Sequence, residues 1–138
     1  MADAVTSQTL SDGDNIAVVK FTNISDGSGE ASVAIVDVSA LAANSAGATP
    51  ALATIEQVWY DIGGMRVALE WNATTNVVAA VLGGRAAAGN VSGYMDFRSF
   101  GGVKNTLASG YNGDIDLTTH GHTNHDHYTI VLQLRKTF

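Results

Sequence analysis

The chain has no cysteine and a single proline, Pro50, among its 138 residues. Without thiols it can carry no disulfide scaffold, no thiolate zinc site and no cysteine nucleophile. Charge is scarce too. Only 14% of residues are charged, and 7 basic residues against 13 acidic ones leave a net charge of −6. An acidic chain attracts neither a phosphate backbone nor an anionic bilayer, so nucleic acid and membrane surfaces are not expected partners. No apolar run approaches the roughly 20 residues of a membrane helix. The opening Met1-Ala2-Asp3-Ala4-Val5-Thr6 has no basic or apolar signal region, so the expectation is a protein made in the cytoplasm, not secreted, and used in solution. The Gly-x-Ser-x-Gly, P-loop and Gly-x-Gly-x-x-Gly patterns are also missing, and no enzyme is expected.

What is present is apolar and small. Hydrophobic residues make up 46% of the chain, enough to fold one domain over residues 1–138 around one core. The thin charge suggests a surface partly hidden against a partner or against copies of itself.

Strand-like runs recur between Gly/Asn/Asp/Ser turns: residues 16–22, 31–38, 54–60, 65–71, 77–82, 93–100, 114–120 and 127–135. About eight short strands at a spacing of ten to fifteen residues predict an all-β fold. The expected architecture is an antiparallel β-sandwich or a jelly-roll-like barrel. No window shows a helical stripe over three turns. Residues 39–51 read as a loop or short helical turn. Residues 1–10 read as a flexible or partner-docked arm, with Ala2, Asp3, Ala4, Val5 and Thr6 as candidate interface residues.

Two strands alternate cleanly. Met65, Val67, Leu69 and Trp71 share one face, as do Tyr128, Ile130, Leu132 and Leu134, and these faces are expected to point inward. Other runs, such as Ile16–Phe21, Val33–Val38 and Val77–Leu82, are apolar on both faces. Either a neighbouring subunit or a long loop covers the outer one, or exposed Ala and Val are simply tolerated there.

All four histidines fall in His120-Gly121-His122-Thr123-Asn124-His125-Asp126-His127. Pairing His120 with His127 sets Leu117 against Ile130 and Thr118 against Thr129, which predicts a β-hairpin with the histidines at its tip. His120, His122, His125 and His127 could bind a divalent metal such as Zn²⁺ or Ni²⁺, with Asp126 or Asp116 as second-layer partners. A cyclic oligomer could instead gather one histidine per chain. A pH-sensing tip and a plain polar turn are the other readings. No other cofactor is expected.

The Asp12-Gly13-Asp14 and Ser25–Glu30 loops read as Asx-type turns rather than calcium loops. Asp114 and Asp116 read as solvent-face aspartates rather than a glycosidase pair. Trp59, Tyr60, Trp71, Tyr94 and Phe97 could line a sugar-binding surface, but their strand positions favour core and interface packing.

Several stretches carry a family likeness: Lys20–Gly27, Val36–Leu41, Phe100–Asn105, Gly113-Asp114-Ile115 and Tyr128–Leu132. They resemble small proteins encoded in tailed-bacteriophage structural gene clusters, of the capsid decoration (cement) type. The resemblance runs from about Ala4 to Lys136. It implies a virion structural protein on the outer head surface that stabilises the shell, with the major capsid protein and copies of itself, as a homotrimer, for partners. A head–tail connector, tail terminator or tube component is the alternative within that class. An alternative of another class is a cupin-like metal-binding module or enzyme using His120 and His122, although the Glu and second motif of that family are missing. Carbohydrate binding by a virion surface domain is a third reading.

Overall fold

A computed structural model describes residues 6–83, 90–107 and 109–138. Among them run nine strands: β1 (Thr6–Asp12), β2 (Ile16–Asp26), β3 (Val33–Val36), β4 (Leu52–Gly63), β5 (Arg66–Ala73), β6 (Val77–Gly83), β7 (Asn90–Asp96), β8 (Tyr111–His120) and β9 (Asn124–Thr137). They form a sandwich of two antiparallel sheets. The five-stranded sheet has the order β1-β2-β9-β4-β7, and the four-stranded sheet has the order β3-β8-β5-β6. The fold class expected from the spacing of turns is the fold observed.

Alternation explains the core. Met65, Val67, Leu69 and Trp71 are all buried on one sheet, and Tyr128, Ile130, Leu132 and Leu134 on the other. Phe21, Val58, Ile62, Ile115 and Leu117 fill the space between them. Phe21 meets Tyr128 edge to face, with ring centroids 6.2 Å apart. Each fully buried Leu, Ile or Phe contributes roughly 1.5–3 kcal/mol relative to exposure.

The expected hairpin between the last two strands does not form. β8 pairs with β3 and β5, and β9 pairs with β2 and β4. The two strands lie in opposite sheets, and residues 121–123 cross from one sheet to the other. The register that matched Leu117 to Ile130 was satisfied for another reason. Both side chains point into the same core, from opposite sides of it.

Other boundaries moved for local reasons. The run at 31–38 shortens to β3 because Ser32 takes φ +49°. Asp37 then caps a 3-10 turn at Val38–Ala40, its carboxylate accepting from Ser39 N at 3.1 Å. The run at 93–100 is β7 followed by a second 3-10 turn at Arg98–Phe100. Of the expected N-terminal arm, Thr6 onwards forms β1, exposed at every residue and paired with β2. Thr6 and Thr22 share a hydroxyl hydrogen bond of 2.5 Å. The candidate interface residues Ala2, Asp3, Ala4 and Val5 lie outside the described residues.

On β6, Val78 and Val81, opposite Glu70 and Ala68 on the outer side, and Val77, opposite Trp71 at the strand's start, are open among the described residues. Val77, Val78 and Val81 are 41%, 53% and 52% exposed. No loop among the described residues covers Val78 or Val81.

Candidate functional site

Strand pairing lays the outer face of the five-stranded sheet out as a grid. One row across it reads Lys20, Val131, Trp59 and Tyr94. The next reads Thr22, Thr129, Asp61 and Ser92. Trp59 and Tyr94 stack across β4 and β7 with centroids 5.2 Å apart and planes 26° from parallel. The Tyr94 hydroxyl donates to Gln57, one residue pair along β4. Both rings remain open to solvent, Trp59 by 38% and Tyr94 by 49%.

A bulge between Ile55 and Gln57 sets Glu56 against β9. Its Oε1 accepts from Gln133 Nε2 at 3.2 Å, and its Oε2 pairs with Arg135. At the rim, Arg98 binds Asp96 through two nitrogens at 2.9 and 2.8 Å. Hydrogen bonds from the Arg98 side chain and amide hold the Asp96 carboxyl well below the usual carboxylate range.

Two shallow grooves open on this face and share Thr129. The smaller, about 360 Å³, is lined by Trp59, Tyr60, Asp61, Ser92, Gly93, Thr129 and Val131. The larger, about 510 Å³, lies between β1, β2 and β9, and His125 and His127 line it with Thr22, Asn23, Ile24 and Thr129. Behind it, Glu30 is buried, and its Oε1 accepts from Asn23 Nδ2 and the Tyr128 hydroxyl, both at 2.8 Å. Thr119 Oγ1 accepts from Glu30 N at 2.9 Å, so one carboxylate residue ties β2, β8 and β9 together.

The four histidines are not gathered at one point. His120 is exposed at the end of β8, where its backbone partner is Arg66. His122 packs on Gly29, where a Cβ would stand 2.1 Å from its Cε1, and its Nδ1 is 3.4 Å from Thr119 Oγ1. His125 has φ +72° and faces the larger groove. His127 fills the space beside Gly63, where a Cβ would be 2.4 Å from its Cε1. No group of three or more His, Asp or Glu side chains among the described residues is arranged to hold a metal. The carboxylates expected as second-layer partners are engaged elsewhere. Asp126 Oδ2 accepts from Thr123 N and Oγ1, and Asp116 Oδ2 accepts from the Asn72 and Asn76 amides at 2.7 and 2.9 Å.

Asp26 behaves as a turn residue, and the strand aspartates Asp114 and Asp116 are not on a solvent face, Asp116 being buried. Asp26 Oδ1 accepts from Ser28 N at 2.9 Å, an Asx turn. Asp114 accepts from Val38 N at 3.0 Å. Burial pushes its carboxyl up against that bond, and the nearby Asp37 and Asp116 push in the same direction.

Of the five aromatic residues singled out in the sequence, Trp71 is core, and Tyr60 and Phe97 pack partly against the core. Trp59 and Tyr94 form the open platform. The signal was available. Val58, Tyr60 and Ile62 alternate inward, so Trp59 sits on the same parity as Gln57 and Asp61, where a polar residue is the ordinary choice.

No family model matches the chain, and no curated protein matches it. Among solved structures it is similar to carbohydrate binding modules of family 29. One, described simply as carbohydrate binding module family 29, shares 8% identity over 96% of this chain and 89% of that one, with a TM-score of 0.34. A mutant of the same family gives 7% identity, 96% and 92% coverage and a TM-score of 0.35. A further mutant, complexed with cellulohexaose, gives 9%, 96% and 92%, and 0.34.

Proposed function

We propose that the chain is a non-catalytic structural protein of a tailed-phage virion, a capsid decoration protein that binds the outer head surface as a homotrimer and stabilises the shell. The stretches that carry the resemblance to such proteins fall on the structural frame. Lys20–Gly27 is in β2 and its turn, Phe100–Asn105 holds the bridge from Val103 to Ile55, and Tyr128–Leu132 is the centre of β9.

The observation that carries the reading is the pair of exposed valines Val78 and Val81 on the outer face of β6, an edge strand among the described residues. Such a pair loses water when it docks, and the open backbone of β6 can extend a partner's sheet. The mechanism is adhesive: interface area buried on the assembled shell stabilises that state over the ruptured one. The major capsid protein is the partner.

Copy number in purified particles tests the proposal. On the order of hundreds of copies per particle supports decoration, and about a dozen or fewer supports a connector ring instead. Absence from purified particles overturns both. Val78→Asp should abolish capsid binding while leaving the circular dichroism of the free protein unchanged.

A further inference from the structure

We propose that the smaller groove on the outer face of the five-stranded sheet is a binding site for a neutral hexopyranose saccharide, built on Trp59 and Asp61. This site lies on the opposite sheet from the β6 valines and does not depend on the virion reading.

The grid supplies the chemistry. Val131, Trp59 and Tyr94 make an apolar and aromatic row, with Lys20 beyond Val131 and outside the groove lining. Thr129, Asp61 and Ser92 make a parallel row of two hydroxyls and a carboxylate. The rows are two residues apart along the strands, about 6.8 Å. A pyranose ring has the same two-sided character: a C–H face that packs on an aromatic ring, and a rim of hydroxyls that both donate and accept. A ring lying on Trp59 brings its hydroxyls over the second row.

The site is held in place before any ligand arrives. Tyr94 stacks on Trp59, and Gln57 holds the Tyr94 hydroxyl, so the indole needs little ordering on binding. The polar row is unspent. Asp61, Ser92 and Thr129 are exposed, and none makes a side-chain hydrogen bond to another described residue. The groove volume of about 360 Å³ falls at the small end of the roughly 300–1,000 Å³ seen for small-molecule sites.

Charge narrows the class. Asp61 is the acidic group lining the groove, and no Lys or Arg lines it. A carboxylate at the rim accepts from sugar hydroxyls and repels uronates, sialates and sulfated chains. The ligand is therefore an uncharged hexopyranose unit.

The test is ¹⁵N NMR titration of the full chain with neutral gluco-, manno- and galacto-hexasaccharides, and with a polygalacturonate hexamer as the charged control. At least one neutral oligosaccharide should shift the Trp59 indole N–H and the Asp61 and Thr129 amides at millimolar concentration or below. The charged control should not. Trp59→Ala should weaken binding more than about tenfold with the remaining spectrum dispersed as in the wild type. Asp61→Asn, which keeps size and shape, should weaken it less and should admit the charged oligomer. No shift at these three residues with any neutral sugar overturns the proposal, as does binding that survives in Trp59→Ala. Should Trp59→Ala not fold, Asp61→Asn still decides, because equal rejection of the charged oligomer by that variant overturns the charge argument. Particle occupancy of Trp59→Ala should equal that of wild type. Loss of occupancy would assign Trp59 to the capsid interface and overturn the sugar site, while leaving decoration standing.

Discussion

Lys136 Nζ, with none of its side chain exposed, is paired with the Asp12 carboxylate across the end of the five-stranded sheet. The same ammonium donates to Gly13 O at 2.6 Å and Ala42 O at 2.8 Å, so all three of its protons are used. Asp12 Oδ2 in turn accepts from Ala42 N at 2.8 Å. One lysine therefore ties β9, the β1–β2 turn and the loop after the first 3-10 turn.

Removing Asp12 leaves that ammonium buried and uncompensated. Breaking a buried pair costs about 3–5 kcal/mol. Asp12 keeps 25% of its side chain exposed, so water can reach the site. Asp12→Ala should then destabilise by about 2 kcal/mol after that discount. Lys136→Met, which removes the charge and keeps the packing, should cost less than Asp12→Ala. Urea unfolding midpoints check the order, and a smaller loss in Asp12→Ala would contradict it.

The same pair predicts an acid limb. Burial alone would raise the Asp12 carboxyl, but the hydrogen bonds from Lys136 and Ala42 and the Lys136 charge outweigh it and hold it below its ordinary 3.8. A carboxyl whose folded value is depressed contributes stability above its unfolded value, and that contribution is lost as pH falls through the folded one. Asp114, pushed up by burial, works the other way: its protonation at falling pH favours the folded state. Asp12→Asn should flatten the loss of stability below pH 3.8, whereas Asp114→Asn should remove a gain in stability that the wild type makes as pH falls toward 3.8 from above. Melting temperatures measured from pH 5 down to 2.5 distinguish the two slopes (about one unit either side of the ordinary carboxylate range).

Gly113 sits at φ +90°, and a Cβ there would lie 2.0 Å from Ala51 O. Gly113→Ala combines left-handed strain, about 1–2 kcal/mol, with a clash against backbone that cannot rotate away. A total of about 3 kcal/mol or more is expected. Gly47, also at positive φ but with nothing within 4 Å, should show only the first of these. Equal costs at the two sites in thermal denaturation would refute the clash.

Because the histidines are dispersed, they should act singly. Zinc added to the purified chain should not be retained at one ion per chain after dialysis, and His122→Ala and His127→Ala should have additive effects on stability. Stoichiometric retention measured by atomic emission would contradict the separation of the rings.

The strands whose alternation is strict were legible, because burial of one face dictates a two-residue period. Met65–Trp71 and Tyr128–Leu134 are the examples. β1 was not legible: it is exposed on both faces, so backbone pairing alone holds it, and backbone pairing leaves no mark on side-chain pattern. The histidine hairpin was misread because an inward-facing register constrains only which side of a strand is apolar. It cannot tell whether the partner lies beside the strand or across the core. The aromatic platform was half visible: Trp59 and Tyr94 stood out as residues, but their pairing depends on β4 and β7 being neighbours, which no local signal encodes.

β9, made last of the nine strands, is the middle of its sheet, with 10 paired positions along β2 and 11 along β4. Until residues 124–137 have been synthesised, β1–β2 and β4–β7 are two separate ribbons with no common edge. The nascent chain therefore cannot assemble this half of the sandwich in the order in which it is made. Two-stranded ribbons are marginal in water, so a chain interrupted ahead of Asn124 would expose the inner faces of β2 and β4 together, which makes such fragments prone to aggregation and to capture by quality control.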